Sequence, residues 1–468
     1  MDGADAWTQG SIVRVTVDRL SNRGDGVGRW GDRVVFIPNA VPGDSLQVRL
    51  VRVKPSFAYG KLLQIETPSS HRIPPYCIVA DKCGGCQWQS VSYDQQLWEK
   101  RAEVQQALER IGGFTNPVVH PVIASHPWRY RNKVAYPLGR SPINGQVQAG
   151  YYQKGSHKLI NLNQCPVQDE AFDPLLSDIK QDIQAHGWSI YNEQQHQGTL
   201  RHLCLRVGRH TGEVLLTLVS RTRNLKSLQE QAAQWLQRYP EMVGVCLNVN
   251  PDRTNAIFGS DTILIAGREF LQEQFAGITL QIRPTTFFQV NTEQAEQLFA
   301  HIQAQLALTG TETLIDAYCG IGTLSLPLAR HVHQVIGIES HASSVEQAKD
   351  NAVVNEIENV AFYHGRVEDL LPQLQQLVPS LDHHKVVLLD PPRKGCGEAV
   401  MMAVRSLQPQ HIVYVSCNPA TLSRDLKILG DASLADGRQY ALNGVYPFDF
   451  FPQTAHVESI AFLSLSSP

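Results

Sequence analysis

From about Pro284 onward the chain alternates short apolar strands with helical stretches: TLID, QVIGIE, KVVLLD and HIVYVS, each separated from the next by amphipathic sequence. Unbroken runs of Val, Ile and Leu without polar alternation suit strands that are covered on both faces, and strand–helix alternation points to an open, doubly wound α/β sheet. Before the first of these strands, TEQAEQLFAHIQAQLAL has the spacing of an amphipathic helix. In such sheets ligands bind outside the carboxyl ends of the strands. The residues at the strand tips therefore carry the argument.

The first tip reads Asp316-Ala-Tyr318-Cys-Gly320-Ile-Gly322-Thr323 and opens a helix. A Gly-x-Gly turn lets backbone approach a nucleotide-like ligand closely. The second strand ends in Glu339, where a carboxylate suits ribose hydroxyls; the competing assignment is an acid at a helix N-terminus. A dinucleotide site would carry a third glycine, but that position is Ser325. Asp316 and the missing glycine favour S-adenosylmethionine over NAD.

The third strand runs into Asp390-Pro-Pro-Arg393-Lys-Gly395 and the fourth into Ser416-Cys417-Asn418-Pro419. Two prolines after an Asp stiffen the turn at the ligand edge. Arg393, where amino-methyltransferases carry an aromatic, argues against an exocyclic-amine substrate. A thiolate at position 417 can add to C6 of a uracil ring and make C5 nucleophilic, dividing a hard methylation into easier steps; the alternative is a buried strand-end cysteine. Near the C-terminus, Asp449-Phe-Phe-Pro-Gln-Thr-Ala-His456-Val-Glu458 offers acids and a histidine to take the C5 proton.

Upstream, Gly10 to about Thr67 reads as short alternating strands broken by turns, the pattern of a small OB-type barrel. Arg49, Arg52, Lys54 and Lys61 fall on its later part, either a solvated surface or a polyanion contact. Cys77, Cys83, Cys86 and Cys165 supply four thiols, which suit zinc or an iron–sulfur cluster equally by spacing. Between Ile111 and Gln168 there is no Asp or Glu, while Arg129, Arg131, Lys133, Arg140, Lys154 and Lys158 are interleaved with Trp128, Tyr130, Tyr136, Tyr151 and Tyr152. Cations with aromatic faces suit unpaired RNA; the alternative is a basic sheet with its rings turned inward.

Taken together, Phe288-Gln289-Val-Asn291, Asp316 to Gly322, Asp390 to Gly395, Ser416-Cys-Asn-Pro-Ala-Thr421 and Phe451-Pro-Gln-Thr-Ala-His-Val-Glu458 resemble, in order and spacing, the motifs of the RNA uracil-5 methyltransferases. The resemblance covers nearly the whole chain. It is nearest to the 23S rRNA-directed members that carry a TRAM domain and an iron–sulfur cluster. It implies a Rossmann-like class I methyltransferase domain over 286–468, an N-terminal OB-like TRAM β-barrel over 1–69, and a central α+β iron–sulfur domain over 70–285. Residues 91–120 are expected to pack with the catalytic domain. It further implies that Gln289, Tyr318, Gly320, Thr323, Glu339 and Asp390 bind S-adenosylmethionine, although some members have Asn where this chain has Thr323. Cys417 becomes the nucleophile, and Glu458, ahead of His456, the proton acceptor. The four upstream cysteines become ligands of a [4Fe-4S] cluster.

The rest of the chain fits an RNA enzyme whose footprint is local. With a net charge of -3 and a pI near 6.6, it lacks the overall basic charge of many nucleic-acid binders. No apolar run reaches the length of a membrane span, and the acidic start MDGADAWTQG does not resemble a signal peptide. A cytoplasmic monomer acting on 23S rRNA is expected. The alternatives are a tRNA T-loop uridine as target, an N6-adenine or cytosine-5 enzyme, and an RNA-binding protein that keeps the fold without catalysis.

Overall fold

The computed structural model describes residues 7–466 apart from 379–380, 382–383, 431–433 and 435–436. Five strands close a barrel in the order Ile12–Leu20, Gly26–Trp30, Arg33–Ile37, Phe57–Thr67 and Ser45–Val53. Alternation in the sequence becomes alternation in space: Val13, Val15 and Val17 point inward with Leu46, Val48 and Leu50, and the residues between them face water. Gly60 is required where the barrel is tightest, since a Cβ there would lie 2.1 Å from a methyl of Val48.

A central seven-stranded sheet follows, in the order Asp261–Gly267, Met242–Val249, Val214–Ser220, Leu200–Val207, Lys133–Arg140, Val147–Tyr152 and Leu159–Asn161. The helices Phe172–Ala185 and Leu228–Arg238 bury Phe172, Leu176, Ile179, Ala232 and Trp235 in its core.

The C-terminal sheet is the class I methyltransferase arrangement. Its order is Val360–His364, Gln334–Glu339, Thr313–Asp316, Lys385–Leu389, His411–Ser416, Glu458–Leu465 and Tyr440–Phe448. The first five of these run parallel, and the final strand inserts antiparallel beside His411–Ser416. Chain direction through the sheet reverses between Thr313–Asp316 and Lys385–Leu389. That switch point opens the crevice in which ligands of such sheets bind.

Two upstream pieces complete this part of the molecule. The hairpin Leu271–Phe275 and Ile278–Ile282 packs into its core, so that core begins ahead of residue 286. The helix Tyr93–Ala107 and the turn after it place Val104, Leu108 and Val119 against the opposite face, and Val119 and Ile123 form parallel bridges to Val445 and Phe448.

Helix Tyr93–Ala107 is held by buried polar groups. Lys100 Nζ lies 2.5 Å from Asp449 Oδ1, with neither side chain reaching solvent, and also donates to the Phe451 carbonyl at 3.1 Å. Gln96 exchanges two hydrogen bonds with Gln453. Lys100→Met would leave the Asp449 carboxylate uncompensated, and breaking a buried pair this way costs about 3–5 kcal/mol. Urea denaturation should therefore show a lower midpoint for Lys100→Met, with Lys100→Met/Asp449→Asn recovering much of the loss. Equal midpoints for wild type and Lys100→Met would show that the pair does not hold the helix.

Candidate active site

Each predicted tip residue can be followed from its strand. Asp316 ends the first strand fully desolvated, where its carboxylate accepts from Ser325 Oγ at 2.6 Å and from the Tyr318 amide at 3.4 Å. Ser325, which stands at the third glycine position, is thus a partner of the tip acid, a role its spacing alone did not reveal. Gly320 has positive φ, and no atom lies within 4 Å of where a Cβ would be, so its backbone faces an open cradle that any side chain would fill. Glu339 accepts from the Gly320 amide at 3.3 Å and from the His341 amide at 2.7 Å. It therefore braces the glycine turn and also meets the backbone that opens the helix Ala342–Val354.

The crevice is lined by Gln289, Asp316, Tyr318, Gly320, Thr323 and Asp390, with Phe275, Phe287 and Phe450 among its apolar walls. Glu339 lies behind the Gly320 turn instead of on the lining. Within the Phe-Gln-Val-Asn motif the parts divide labour. Asn291 caps the helix Thr292–Leu306 by accepting from Gln294, and Asn132 fixes the Gln289 carbonyl at 2.8 Å. Phe288 is buried, whereas its neighbour Phe287 is 71% exposed at the crevice. Periodicity could not tell those two rings apart.

Opposite, the Asp390–Gly395 turn is laced to the turn after Ser416. Asn418 donates to the Arg393 carbonyl at 3.1 Å, Arg424 to those of Lys394 and Cys396, and buried Asp425 accepts from the Cys396 amide and the Tyr414 hydroxyl. Gly395 has positive φ, and a Cβ there would stand 2.6 Å from Asp425 Oδ2. The glycine ending that motif is thus a steric requirement.

Ser416 pairs with Ser459 across the antiparallel strands, which sets Cys417 and Glu458 beside each other at the sheet edge. Cys417 is half-buried and Glu458 buried. Burial, then the Glu458 charge, pushes the Cys417 thiol up to about 11, while Arg393 opposes this by charge and hydrogen bonding. Burial and the charge of Asp390 raise Glu458 well above the usual carboxylate range, again opposed by Arg393. Asp390 is itself pushed up to about 7 by burial and by Asp316, and Asp316 to about 6. Arg393, considered in the sequence only as an argument about substrate, is the cation that faces both Cys417 and Glu458. His456 lies exposed nearby, its pKa lowered by partial burial and by Arg393, Lys100 and Arg131.

Cys77, Cys83, Cys86 and Cys165 line one cavity of about 60 Å³ together with Gln89, Arg131 and Tyr151. Burial pushes the Cys86 thiol up to about 11 and that of Cys165 to about 12. Among the described residues no three His, Cys, Asp or Glu side chains are set to hold a metal ion. The four sulfurs surround a void instead of converging on a point.

The acid-free stretch proves to be mixed. Tyr130 and Tyr136 are buried, Arg129 pairs with Asp173 at 2.9 Å, and Lys133 sits over the Phe258 ring. Tyr152 is 39% exposed, Trp128 packs on the exposed Tyr76, and Lys158 faces water. Most of these rings and several cations therefore serve packing, and the surface they leave is narrower than the composition suggested. No helix among the described residues is long and apolar enough to cross a membrane.

Alkylation of Cys417 by iodoacetamide, followed by mass spectrometry against pH, tests these electrostatics. Glu458→Gln removes a charge that raises the thiol pKa and should shift the rate profile to lower pH; Arg393→Gln should shift it higher. Coincident profiles would mean that neither group faces the thiol.

Residues 92–466 match the family model described as tRNA (uracil-5-)-methyltransferase, and residues 6–63 match the TRAM domain. An RNA methyltransferase of Nostoc sp. is 57% identical over 461 residues, 98% of each chain, and one of Bacillus cereus is 38% identical over 97% of this chain and 96% of its own. The structure of Pyrococcus abyssi tRNA (uracil-54, C5)-methyltransferase with S-adenosyl-L-homocysteine superposes with a TM-score of 0.75 at 26% identity, covering 96% of this chain and all of that one. The chain belongs to the S-adenosylmethionine-dependent RNA uracil-5 methyltransferase family, and it carries that family's catalytic fold behind an N-terminal TRAM barrel.

Proposed function

We propose that this enzyme methylates C5 of a uridine in 23S rRNA, through a covalent bond between Cys417 and C6, in the cytoplasm. The observation that supports the mechanism is the Ser416–Ser459 register, which brings Cys417 beside Glu458 at one sheet edge, where Arg393 from the Asp390 turn faces both. Gln289, Tyr318, Gly320, Thr323, Glu339 and Asp390 would hold S-adenosylmethionine, and the open cradle at Gly320 fits close backbone approach to it. Bound there, S-adenosylmethionine supplies an electrophilic methyl group and a positive sulfonium.

The chain's own residues do the rest. Cys417, once ionised, would add to C6; the ring becomes an enolate, and its C5 would take the methyl group as the methyl–sulfonium bond breaks and S-adenosylhomocysteine leaves. Glu458 then removes the C5 proton, the C5–C6 double bond re-forms, and the Cys417 thiolate leaves. Arg393 supports the thiolate. A carboxyl raised above its usual range by burial is a stronger proton acceptor once ionised, which suits a general base.

The sequence units 1–69, 70–285 and 286–468 would serve as RNA-binding barrel, cysteine-bearing RNA platform and catalytic domain. Four cysteines lining one cavity, Cys83 and Cys165 among them buried, suit a [4Fe-4S] body, and such a centre would supply the positive charge that lets their thiols ionise. Barrel and cysteine set together favour rRNA. The tRNA T-loop reading is favoured by one observation, the superposition on a tRNA uracil-54 enzyme.

Tritium release from C5-labelled 23S rRNA and tRNA transcripts decides between them. Wild type should release tritium from rRNA, and Cys417→Ala should release none while still binding S-adenosylmethionine. Glu458→Gln should turn over about 10²–10⁴-fold more slowly and accumulate protein–RNA adduct stable to denaturation. Release from tRNA alone would reassign the substrate; turnover by Cys417→Ala would end the covalent mechanism. Separately, anaerobically purified protein should hold about four irons per chain, lost in Cys83→Ser. Stoichiometric zinc without iron would overturn the cluster.

A further inference from the structure

Beside the cysteine cavity, and apart from the crevice, a groove of about 520 Å³ opens to solvent between Gly84–Gly85 and the hairpin tip from Tyr151 to His157. That volume lies within the range of sites that take small ligands. On its wall the Tyr152 ring stacks on His157, centroids 5.1 Å apart and planes 19° from parallel. Lys158 is exposed on the same hairpin, whereas the Lys154 ammonium is buried toward Asp25. Gly155, at the tip, has positive φ and open space where a Cβ would stand. Two acids come near, and both are engaged: Glu193 with His157 at 3.1 Å and Asp25 of the barrel with Lys154 at 3.7 Å.

The floor of the groove is the cysteine loop. The Gly84 amide donates to the Tyr152 carbonyl and the Lys154 amide to that of Lys82, while Cys83 bridges Gln153. The same loop continues to Gln87 and Trp88, whose amides both donate to the Gln453 carbonyl at 3.0 Å, just ahead of Glu458. Chain geometry therefore limits the separation between Gly85 and Glu458 to about 30 Å. One RNA strand can occupy both places.

We propose that this groove binds an unpaired nucleotide of the RNA substrate, distinct from the target uridine, with its base on the Tyr152–His157 stack and its phosphate beside Lys158. The inference rests on the RNA methyltransferase reading above. Aromatic faces accept any base, and an exposed lysine neutralises phosphate, so the pair suits single-stranded RNA.

The test uses the full-length protein and a fluorescent RNA that the wild type methylates, read by anisotropy and by steady-state kinetics. Tyr152→Ala should weaken binding about tenfold, which is ~1.4 kcal/mol at 25 °C, with the loss appearing in KM for RNA. Tyr152→Phe, which keeps the ring, should restore it. Lys158→Gln should weaken binding and reduce the slope of log affinity on log salt by about one. Should Tyr152→Ala not fold, His157→Ala at the surface replaces it with the same expectation. Wild-type affinity in both His157→Ala and Lys158→Gln, or in a folded Tyr152→Ala, overturns the proposal. If the wild type methylates no RNA, the function reading fails first, and the anisotropy series on 23S rRNA still tests the groove.

Discussion

Two antiparallel strands, His411–Ser416 and Glu458–Leu465, meet with Ser416 opposite Ser459. Side chains on a strand alternate faces, so a slip of one residue would turn Glu458 away from the edge where Cys417 stands. The inserted final strand is therefore more than a closing element. It carries a residue from the very end of the chain back to the switch-point crevice that Asp316 and Asp390 define from the middle of the sequence. Because Ile460, Phe462 and Leu463 are buried on the two faces of the sheet, a slipped register would also expose core side chains. Packing and the proposed catalytic geometry thus call for the same alignment.

That alignment depends on the loop before Glu458, and the loop is held from far upstream. Lys100 and Gln96 reach Asp449, Phe451 and Gln453, and the Tyr130 hydroxyl donates to the Pro452 carbonyl at 3.1 Å. Residues that the sequence places between the third and fourth cysteines of the set are thereby structural parts of the proposed catalytic edge. The helix also meets the barrel, where the Glu99 carboxylate accepts from the Leu20 amide at 3.0 Å. A single helix therefore touches both the barrel and the loop that leads to the proposed base.

The parts legible in the sequence were those that local rules govern. Parallel strands covered on both faces show as runs such as VVLL, and their tips show as Asp, Gly and Pro, because a turn at a ligand edge needs those residues. Barrel strands show as strict alternation. What stayed hidden depends on partners distant in the chain. Nothing local says that Phe287 faces the crevice while Phe288 is buried, that Ser325 hydrogen-bonds Asp316, or that Tyr136 is buried while Tyr152 is exposed. Composition correctly marked the acid-free stretch as unusual, but only the sheet pairing of Lys133–Arg140 with Leu200–Val207 decides which of its rings turn inward.

The charges at the crevice edge favour a cationic ligand. Asp316, Asp390 and Glu458 crowd a desolvated edge where Arg393 is the cation that faces the thiol and the base. An Asp390 pKa near 7 amounts to a bias on the order of 4 kcal/mol against its ionised form. Such a bias favours any positively charged ligand, because a cation in the crevice would lower these pKa values and let the carboxylates ionise. A sulfonium has that charge. Its charge would also favour the Cys417 thiolate, which burial and the Glu458 charge disfavour. On the proposed mechanism, the positive charge of the methyl donor offsets the carboxylates that raise the thiol pKa, and so favours the ionised nucleophile.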